Sequence, residues 1–585
     1  MQWNLEKLFK NSSEWENSLN EVNNKIEEVK KYKNTLKDKN KLKEFILLTE
    51  EISKELYRVY QYASLSNDLN LKDNKLLERK EKAIMAFQKF GLNVSFYSPE
   101  LLTIDLNTLL QYCDEDEKIN EYRFDFESLF RSRKHVLSED KEEMMANFSS
   151  VSSANSRLYS SLSTSDRVYD EVELSDKKVV VTQSNWTSLI KESKTEEDRQ
   201  KIFNAIYSDF DKHKNTYAAI YNTILQNNNA KKKIRNYDSI LDSYLFGNNI
   251  PKEVYESLIF SAKETAPSLY KYLELKKKYL KLEKYKTYHR FLSLAESKRK
   301  YEYNEALDLF FESIKNMPKE FIEFSKLAVS EGQVDVLEKE GKRTGAYSSG
   351  GYTDNPYILL NYDKTLNDVF TVAHEAGHST HTLFSKKYQP YATSNYTIFV
   401  AEIASTFNEH QLLDTMLEKA KTKDEKIVLL EMALNNIYST FYRQALFAYY
   451  EYEANKLVEN NTPITSDVLS DIMIKLYKDF YNIDLKDEPL KKYVWAYIPH
   501  LFRTPFYVYQ YATSFSASLK LYENIKLKKP NALENYLNLL KSGGNDYPVN
   551  QVKKAGCDLT DKNTFLAVKN RLEELLVKLE KTLEE

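Results

Sequence analysis

The sequence predicts a mainly α-helical fold. Glycine (11) and proline (12) are scarce among the 585 residues, which favours long helices over a turn-rich β architecture. Apolar residues recur at helical spacing in the N-terminal region, as in Leu42, Phe45, Ile46 and Ile52. The length allows a large hydrophobic core and more than one domain.

The charges are abundant but balanced. The 84 Lys and Arg residues face 87 Asp and Glu residues, which leaves a formal net charge of only -3. A balance of this kind gives no electrostatic reason to bind nucleic acid or an anionic membrane. We therefore expect neither as a partner.

Cysteine usage and hydropathy indicate the compartment. Cys113 and Cys557 are the only cysteines, so a disulfide framework and a cysteine-rich zinc site are excluded. The N-terminal residues lack a signal-peptide pattern, and no run of about 18 apolar residues occurs. We expect a cytoplasmic protein; the sequence does not indicate an oligomeric state.

The pattern along the chain predicts two domains. Residues 1–195 form an N-terminal helical domain, and residues 196–585 form a second domain that opens with long helical patterns. Residues 168–182 alternate polar and apolar side chains around a Ser-Asp turn, which predicts a small β-hairpin near the end of the first domain.

The serine-rich segment 149–165 permits two interpretations. Its composition is typical of a linker. Its apolar residues, however, keep helical spacing: Val151, Ala154, Leu158 and Leu162.

A glycine-rich segment precedes the most informative motif. Six of the eleven glycines lie from Gly332 to Gly377, and an apolar run after Pro356 predicts a short strand. Thr365 and Asp368 then give a helix-start signal. Glycine-rich backbone next to a metal site would let a peptide approach closely. We therefore expect substrate contacts at Gly350, Gly351 and Tyr352. An ordinary loop and edge strand would have the same pattern.

The motif itself is HExxH, at residues 374–378. On a helix, residues four apart share one face, so His374 and His378 can bind a single metal ion. Glu375 lies beside them, where it can act as the general base on a water molecule. The motif predicts a zinc peptidase.

The third ligand does not come from the same helix. His381 lies seven residues after His374, and a rise of about 1.5 Å per residue separates the two by roughly 10 Å, too far to share one ion. His381 therefore suits helix packing or a supporting position beside the site. The metzincin pattern also fails, because Phe384 stands where its third histidine would be.

A carboxylate from a second helix remains. Glu402 and Glu409 lie seven residues apart on one helix face. The apolar surroundings of Glu402 make a carboxylate there costly unless it is paired or binds a metal. The pattern favours Glu402 as the ligand and Glu409 as the residue that orients a ligand; for either, a solvated surface glutamate is the alternative.

Several segments together resemble oligopeptidase F, a member of the thimet oligopeptidase-type zinc metallopeptidases. The matching segments are GAYSSGGY, PYILLNY, DVFTVAHEAGH, IFVAEIASTFNEH, YLFGNNIPKEVYESL, PFYVYQYATS and KSGGNDYPV. The resemblance covers most of the chain from about residue 145 onward and, more weakly, the N-terminal helices. It implies a two-lobed helical fold with a deep substrate channel, a small β element next to the HExxH helix, and one Zn²⁺ ion at the channel floor.

The resemblance also implies roles for particular residues. It assigns the zinc ligands to His374, His378 and Glu402, and the base to Glu375. A histidine and tyrosines that stabilise the transition state correspond to His500 and to the group Tyr507, Tyr509 and Tyr511. Within that group we select Tyr507 and Tyr509; their spacing of two is typical of a strand, whereas the resemblance implies a helix.

We therefore expect a zinc-dependent oligoendopeptidase that hydrolyses internal bonds of short peptides, with residues 196–585 as its catalytic zinc metallopeptidase domain. One alternative is a helical zinc carboxypeptidase, which removes residues from one end. A second is a non-catalytic peptide-binding protein whose zinc is structural and closed by four protein ligands.

Overall fold

Helices make up most of the chain, as predicted, with five short strands. The computed structural model describes the backbone of residues 1–585 and all side chains except those of residues 139, 143, 146, 147 and 149–153. Within this described part, none of the helices combines the length and the apolar character needed to cross a membrane.

The chain divides into two compact units. The first unit consists of Met1–Lys134, Arg299–Thr415 and Asn524–Gly556, and the second of His135–Lys298, Met416–Glu523 and Cys557–Glu585. Each unit is therefore assembled from three separate segments of the chain.

The first unit is built on amphipathic helices. The helix Lys39–Leu69 begins at Asp38, whose side chain accepts hydrogen bonds from the first free backbone N–H groups, and its predicted apolar stripe, which includes Leu42 and Phe45, is buried. The other helices of this unit are Ser12–Glu28, Asn74–Asn93, Tyr97–Leu101, Leu106–Glu115, Glu117–Asn120, Arg123–Ser132, Tyr303–Ser313, Lys319–Ala328, Leu366–Tyr388, Ile398–Lys419, Ala532–Lys541 and Pro548–Lys554.

The second unit contains the predicted hairpin and the remaining helices. Strands β1 (Glu171–Glu173) and β2 (Lys178–Val180) pair antiparallel, which confirms the hairpin. The helices are Glu139–Asn147, Ser149–Ser160, Trp186–Glu192, Glu196–Lys212, Lys214–Ile234, Ile240–Leu245, Lys252–Tyr279, Lys423–Asn436, Arg443–Glu459, Ser466–Tyr481, Val494–Tyr497, Pro499–Arg503, Tyr509–Lys526 and Leu566–Glu584.

The serine-rich segment is helical, as its apolar spacing indicated. The helix Ser149–Ser160 continues into a π-helical turn, Ser161–Ser165. The side chain of Val151 lies outside the described residues.

A small sheet lies in the first unit, in the predicted glycine-rich region. Strand β5 (Tyr357–Leu359) is fully buried and pairs with β3 (Val334–Asp335) in parallel and with β4 (Tyr347–Ser349) antiparallel. The order β3-β5-β4 makes β4 an edge strand. The strand predicted after Pro356 is thus confirmed as the central strand.

The helix Leu366–Tyr388, here called the His374 helix, begins as its sequence predicts. Thr365 accepts a hydrogen bond from the Asp368 backbone N–H, and the Asp368 carboxylate accepts from the Thr365 N–H, which forms a capping box. The helix Ile398–Lys419, called the Glu402 helix, packs against it.

The two helices meet at Gly377. A Cβ atom at this position would lie 2.6 Å from the Ser405 Cα and 2.7 Å from the Ala404 carbonyl oxygen, both backbone atoms of the Glu402 helix. Non-bonded carbon atoms normally approach no closer than about 3.5 Å. Gly377 is therefore required by the approach of two backbones.

We expect Gly377→Ala to lower the free energy of unfolding by about 1–3 kcal/mol. The added methyl group would overlap backbone atoms of the Glu402 helix, and these atoms can move away only if the whole helix shifts. Gly91→Ala is the matched control, since Gly91 is helical and has no atom within 4 Å of an added Cβ. That control should gain about 0.5–1 kcal/mol from helix propensity. Equal denaturation midpoints for Gly377→Ala and the unmodified protein would contradict the close crossing.

Candidate metal centre

Three predicted ligands converge in the first unit. His374 Nε2 lies 3.2 Å from His378 Nε2, and Glu402 Oε2 lies 3.3 Å and 3.5 Å from these two nitrogens. These residues form a group that could hold a metal ion, with all ligand atoms within 4.8 Å of one another.

The spacing suits zinc. Zinc takes imidazole nitrogens and carboxylate oxygens at about 2.0–2.1 Å, and a tetrahedron of that size has ligand atoms roughly 3.3–3.4 Å apart. The three observed distances bracket this value. Two imidazoles and one carboxylate are also the ligand set of a catalytic zinc site, which keeps a further position open.

Supporting side chains on the Glu402 helix orient the ligands. His374 Nδ1 donates to Glu409 Oε1 at 2.5 Å, which leaves the Nε2 lone pair directed at the candidate site. The Ser405 hydroxyl donates to Glu402 Oε2 at 3.0 Å. Each of these two hydrogen bonds fixes the orientation of a ligand side chain.

Local electrostatics favours a cation. Burial alone would lower the pKa of His374, but bonding to Glu402 and Glu409 outweighs burial and raises this pKa well above its usual range. Despite desolvation, His374 and His378 lower the pKa of Glu402 to about 2, so its carboxylate stays ionised. Because metal ligation requires neutral imidazoles, a bound divalent cation would take the place of the proton on His374.

Glu375 lies in a different environment from the ligands. Its side chain is buried, and burial, opposed by the charge of His374, raises its pKa to about 7. The Ser348 backbone on the edge strand β4 lies near enough to the carboxyl group to lower this pKa slightly, against the effect of burial. Its Oε2 atom has no hydrogen-bond partner among the described residues.

His381 does not join the ligand group. Its ring is buried and stacks on Tyr396, with ring centroids 3.7 Å apart and planes 7° from parallel. The Tyr396 hydroxyl in turn contacts the His378 backbone carbonyl at 3.4 Å. The expectation of a packing position for His381 is thus consistent with its contacts.

The loop between the two helices is held by the KSGGNDYPV segment. The Gly544 N–H donates to the Thr393 carbonyl at 2.7 Å. Gly543 has φ +50°, and a Cβ there would lie 2.2 Å from the same carbonyl oxygen, so a side chain is excluded. This part of the motif shapes the connection between the ligand helices.

The predicted substrate segment lies next to the site but is tightly packed. The Gly350 carbonyl accepts a hydrogen bond from the Tyr57 hydroxyl at 2.9 Å, and a Cβ on Gly351 would meet the Tyr57 ring at 2.4 Å. The Tyr352 ring packs edge-on against Tyr391, 5.4 Å away. Tyr57 has no local sequence signal, and only the fold brings it here.

His500 and the tyrosines belong to the second unit. The His500 ring lies 6.0 Å from the Tyr507 ring and 6.1 Å from the Tyr511 ring, and these two tyrosines lie 5.4 Å apart. Tyr509 is buried, packs 5.0 Å from Tyr255 and has a pKa raised by burial. The structure thus groups Tyr511, rather than Tyr509, with His500.

The turn that precedes the helix explains this grouping. The helix begins at Tyr509, so the spacing of two does not form a strand, and Tyr507 and Tyr511 are separated by four residues. Phe506 precedes them with φ +54°, a conformation that bulky residues rarely adopt, and its N–H donates to the buried Glu451 carboxylate at 2.8 Å.

We expect Glu409→Gln to weaken metal binding by about 10–100-fold, because a neutral amide is a poorer acceptor for the His374 N–H. The matched control is Glu418→Gln, an exposed glutamate on the same helix. Affinity is read from competition for zinc with a chromogenic chelator. If both variants bind zinc equally well, Glu409 does not support the ligand.

The comparisons with known proteins agree with this geometry. The model of peptidase family M3 matches residues 189–571, and that of oligopeptidase F matches residues 100–169. The group B oligopeptidase PepB of Streptococcus agalactiae is 34% identical over 99% of this chain and 96% of its own length. The oligopeptidase PepF of Bacillus subtilis is 31% identical over 99% of this chain and 87% of its own length.

Solved structures share the fold. A Chlamydophila abortus crystal structure is 31% identical and superposes with a TM-score of 0.90 over 99% of this chain and 98% of that one. The oligoendopeptidase-F of Enterococcus faecium is 28% identical, with a TM-score of 0.73 over 98% and 100% of the two chains. With a matching family model over most of its length and relatives above 30% identity across nearly all of it, the chain belongs to peptidase family M3 and is a peptidase.

Proposed function

We propose that this peptidase is a zinc-dependent oligoendopeptidase that cuts internal bonds of short peptides. The observation that supports it most is the triangle of His374, His378 and Glu402 ligand atoms, whose 3.2–3.5 Å sides suit a tetrahedral zinc ion. When bound there, the ion would supply Lewis acidity toward the peptide carbonyl and toward water.

Glu375 is proposed as the proton carrier. Its Oε2 atom is buried without a partner among the described residues, so it is available to accept a proton from the attacking water. The carboxyl group would then donate that proton to the nitrogen of the leaving amine.

Strand β4 is proposed to bind the substrate backbone. It is an edge strand, and the Ser348 backbone within it lies near the Glu375 carboxylate, so a peptide added along this edge would bring its own backbone close to the base. Pairing of this kind tolerates varied side chains. Gly350 and Gly351 follow β4 directly in the chain, and Tyr352 begins the bend that leads toward β5.

Transition-state stabilisation by His500, Tyr507 and Tyr509 stays a prediction based on the resemblance. The ring contacts favour Tyr511 over Tyr509 as the tyrosine that acts beside His500 and Tyr507. Cytoplasmic location also stays a prediction; Cys113 and Cys557 are both free, as expected in a reducing compartment.

We expect Glu375→Gln to retain one zinc ion per chain but to lower kcat by about 10²–10⁴-fold, since the amide cannot carry a proton. Elemental mass spectrometry measures the zinc content of the variant. Cleavage of a fluorescence-quenched peptide measures its kcat. Normal turnover with normal zinc content would refute the assigned base, whereas loss of zinc would show that Glu375 is needed for the metal site instead.

Endopeptidase and carboxypeptidase modes differ in their products. Digestion of a peptide of about ten residues should release two internal fragments early, and amidation of its C-terminus should leave the rate unchanged. A ladder of products shortened by one residue at a time would favour the carboxypeptidase alternative. Binding without cleavage, in protein with full zinc content, would favour the non-catalytic alternative.

Substrate pairing with β4 is tested from the substrate side, because substitution of Gly351 would disturb Tyr57. Methylation of one backbone nitrogen at a time, on either side of the cleaved bond, should raise KM about 5–10-fold at positions whose N–H pairs with the strand, the loss of about one hydrogen bond. Uniform KM values across the methylated series would contradict strand addition.

A further inference from the structure

Three basic side chains come together in the second unit, from three separate segments. Arg290 lies in the 3₁₀ helix Thr287–Phe291, Arg443 begins the helix Arg443–Glu459, and Lys491 lies in the 3₁₀ helix Pro489–Tyr493. Burial, together with the charge of Arg443, lowers the pKa of both Arg290 and Lys491. The three segments also touch one another: Glu488 accepts hydrogen bonds from Thr287, and the Arg290 guanidinium lies 5.7 Å from the ring of Tyr438, five residues before Arg443. The three like charges therefore lie in one region of the second unit.

The two guanidinium groups lack polar partners within the described part of the chain. Arg290 lies over the rings of Phe291 and Tyr438, at 4.3 Å and 5.7 Å, and Arg443 over the ring of Phe447, at 5.0 Å. Neither makes a hydrogen bond or an ion pair through its side chain. Such isolation is unusual, because arginine in a poorly hydrated place is normally paired.

Lys491 is only partly compensated. Its side chain is buried, and its Nζ donates to the Tyr207 hydroxyl at 2.6 Å, a neutral acceptor. Nearby Glu488 accepts instead from the Thr287 backbone N–H and hydroxyl, at 2.7 Å and 2.8 Å.

The other nearby carboxylate is also committed. Glu431 forms an ion pair with Lys276 at 2.8 Å and accepts from the Leu294 N–H at 2.8 Å. Glu488 influences the pKa of Lys491 without forming an ion pair with it, so the three positive charges have no ion-pair partner among the described residues.

Further donors surround the same place. Tyr438, Tyr477 and Tyr481 lie close enough to influence the pKa of Arg290. The Tyr285 hydroxyl, which feels the charge of Arg290, is buried without a hydrogen-bond partner among the described residues. Both arginine side chains keep part of their surface accessible to solvent, so a small ion can reach them.

The local backbone is also unusual. Tyr438 lies in the π-helical turn Ile437–Tyr442, which ends directly before Arg443. Turns of this type are rare and frequently occur at functional sites. The turn brings a tyrosine and the following arginine to one cluster.

We propose that Arg290, Arg443 and Lys491, with the surrounding tyrosine hydroxyls, form a binding site for a small oxyanion. Two guanidinium forks suit the planar pair of oxygens of a carboxylate or two oxygens of a phosphate, and the ammonium adds charge without directional demands. The ligand is either free inorganic oxyanion or the carboxylate of a small organic acid. This inference is independent of the proposed peptidase mechanism, because its readout is anion binding.

The test uses isothermal titration of the full-length protein, dialysed free of metal so that no anion can bind zinc, with sodium phosphate and, separately, sodium acetate, in a buffer without other small anions. Saturable binding at one site per chain is expected. Arg443→Gln and Arg290→Gln should each weaken it at least tenfold, while Arg443→Lys should keep part of the affinity. Lys475→Gln, an exposed charge on the helix Ser466–Tyr481 that carries two of the tyrosines, is the matched control and should bind as the unmodified protein does.

Thermal unfolding gives a second readout that does not depend on the heat of anion binding. Saturating anion should raise the unfolding midpoint of the unmodified protein and of Lys475→Gln, but not that of Arg443→Gln. Tighter phosphate binding would identify an inorganic oxyanion, and tighter acetate binding a carboxylate. Absence of saturable binding of either anion to the unmodified protein, or undiminished binding in both arginine-to-glutamine variants, would overturn the proposal.

Discussion

The candidate metal centre depends on one contact, the crossing of two helix backbones at Gly377 and Ser405. At a close crossing, only residues within about one turn of the contact point can reach across. His374 and His378 lie three residues before and one after Gly377, and Glu402 lies three residues before Ser405. The lack of a side chain on Gly377 therefore decides whether the third ligand reaches the two histidines.

The same helix presents a second row of residues toward strand β4. Glu375 lies near the Ser348 backbone, and Ser379, four residues later, shares a hydrogen bond with the Ser348 hydroxyl at 2.8 Å. The sequence HEAGHS thus separates two tasks on adjacent helix faces. The ligands point to the Glu402 helix and the proposed base points to the sheet edge, so neither set obstructs the other.

Local patterns in the sequence were sufficient to predict those parts of the structure that depend on residues close together in the chain. The HExxH spacing, the Thr365 cap, the hairpin and the strand after Pro356 each depend on residues within a few positions of one another. Contacts between distant segments had weaker signals. Glu402 was favoured because its surroundings are apolar, but the contributions of Ser405 and Tyr57 depend on which segments the fold brings together.

The tyrosines show why register is difficult to derive from a sequence. Their alternate spacing is typical of a strand, yet Phe506 adopts a left-handed conformation and the helix starts only at Tyr509. The turn places Tyr507 and Tyr511 next to His500 and leaves Tyr509 in the core. Positive φ at a phenylalanine has no propensity signal, so only tertiary contacts, such as the Glu451 bond to its N–H, can stabilise it.

Charge imbalance in weakly hydrated places is more informative here than overall composition. A net charge of -3 on 585 residues says little, because most charges pair at the surface, where each pair contributes about 0–1 kcal/mol. Two like charges 4 Å apart in a less hydrated setting repel by roughly 4 kcal/mol at an effective dielectric constant near 20. The carboxylates around His374 and His378 are like charges of this kind, and a bound cation would offset their repulsion. By the same reasoning, an anion would offset the repulsion between Arg290 and Arg443.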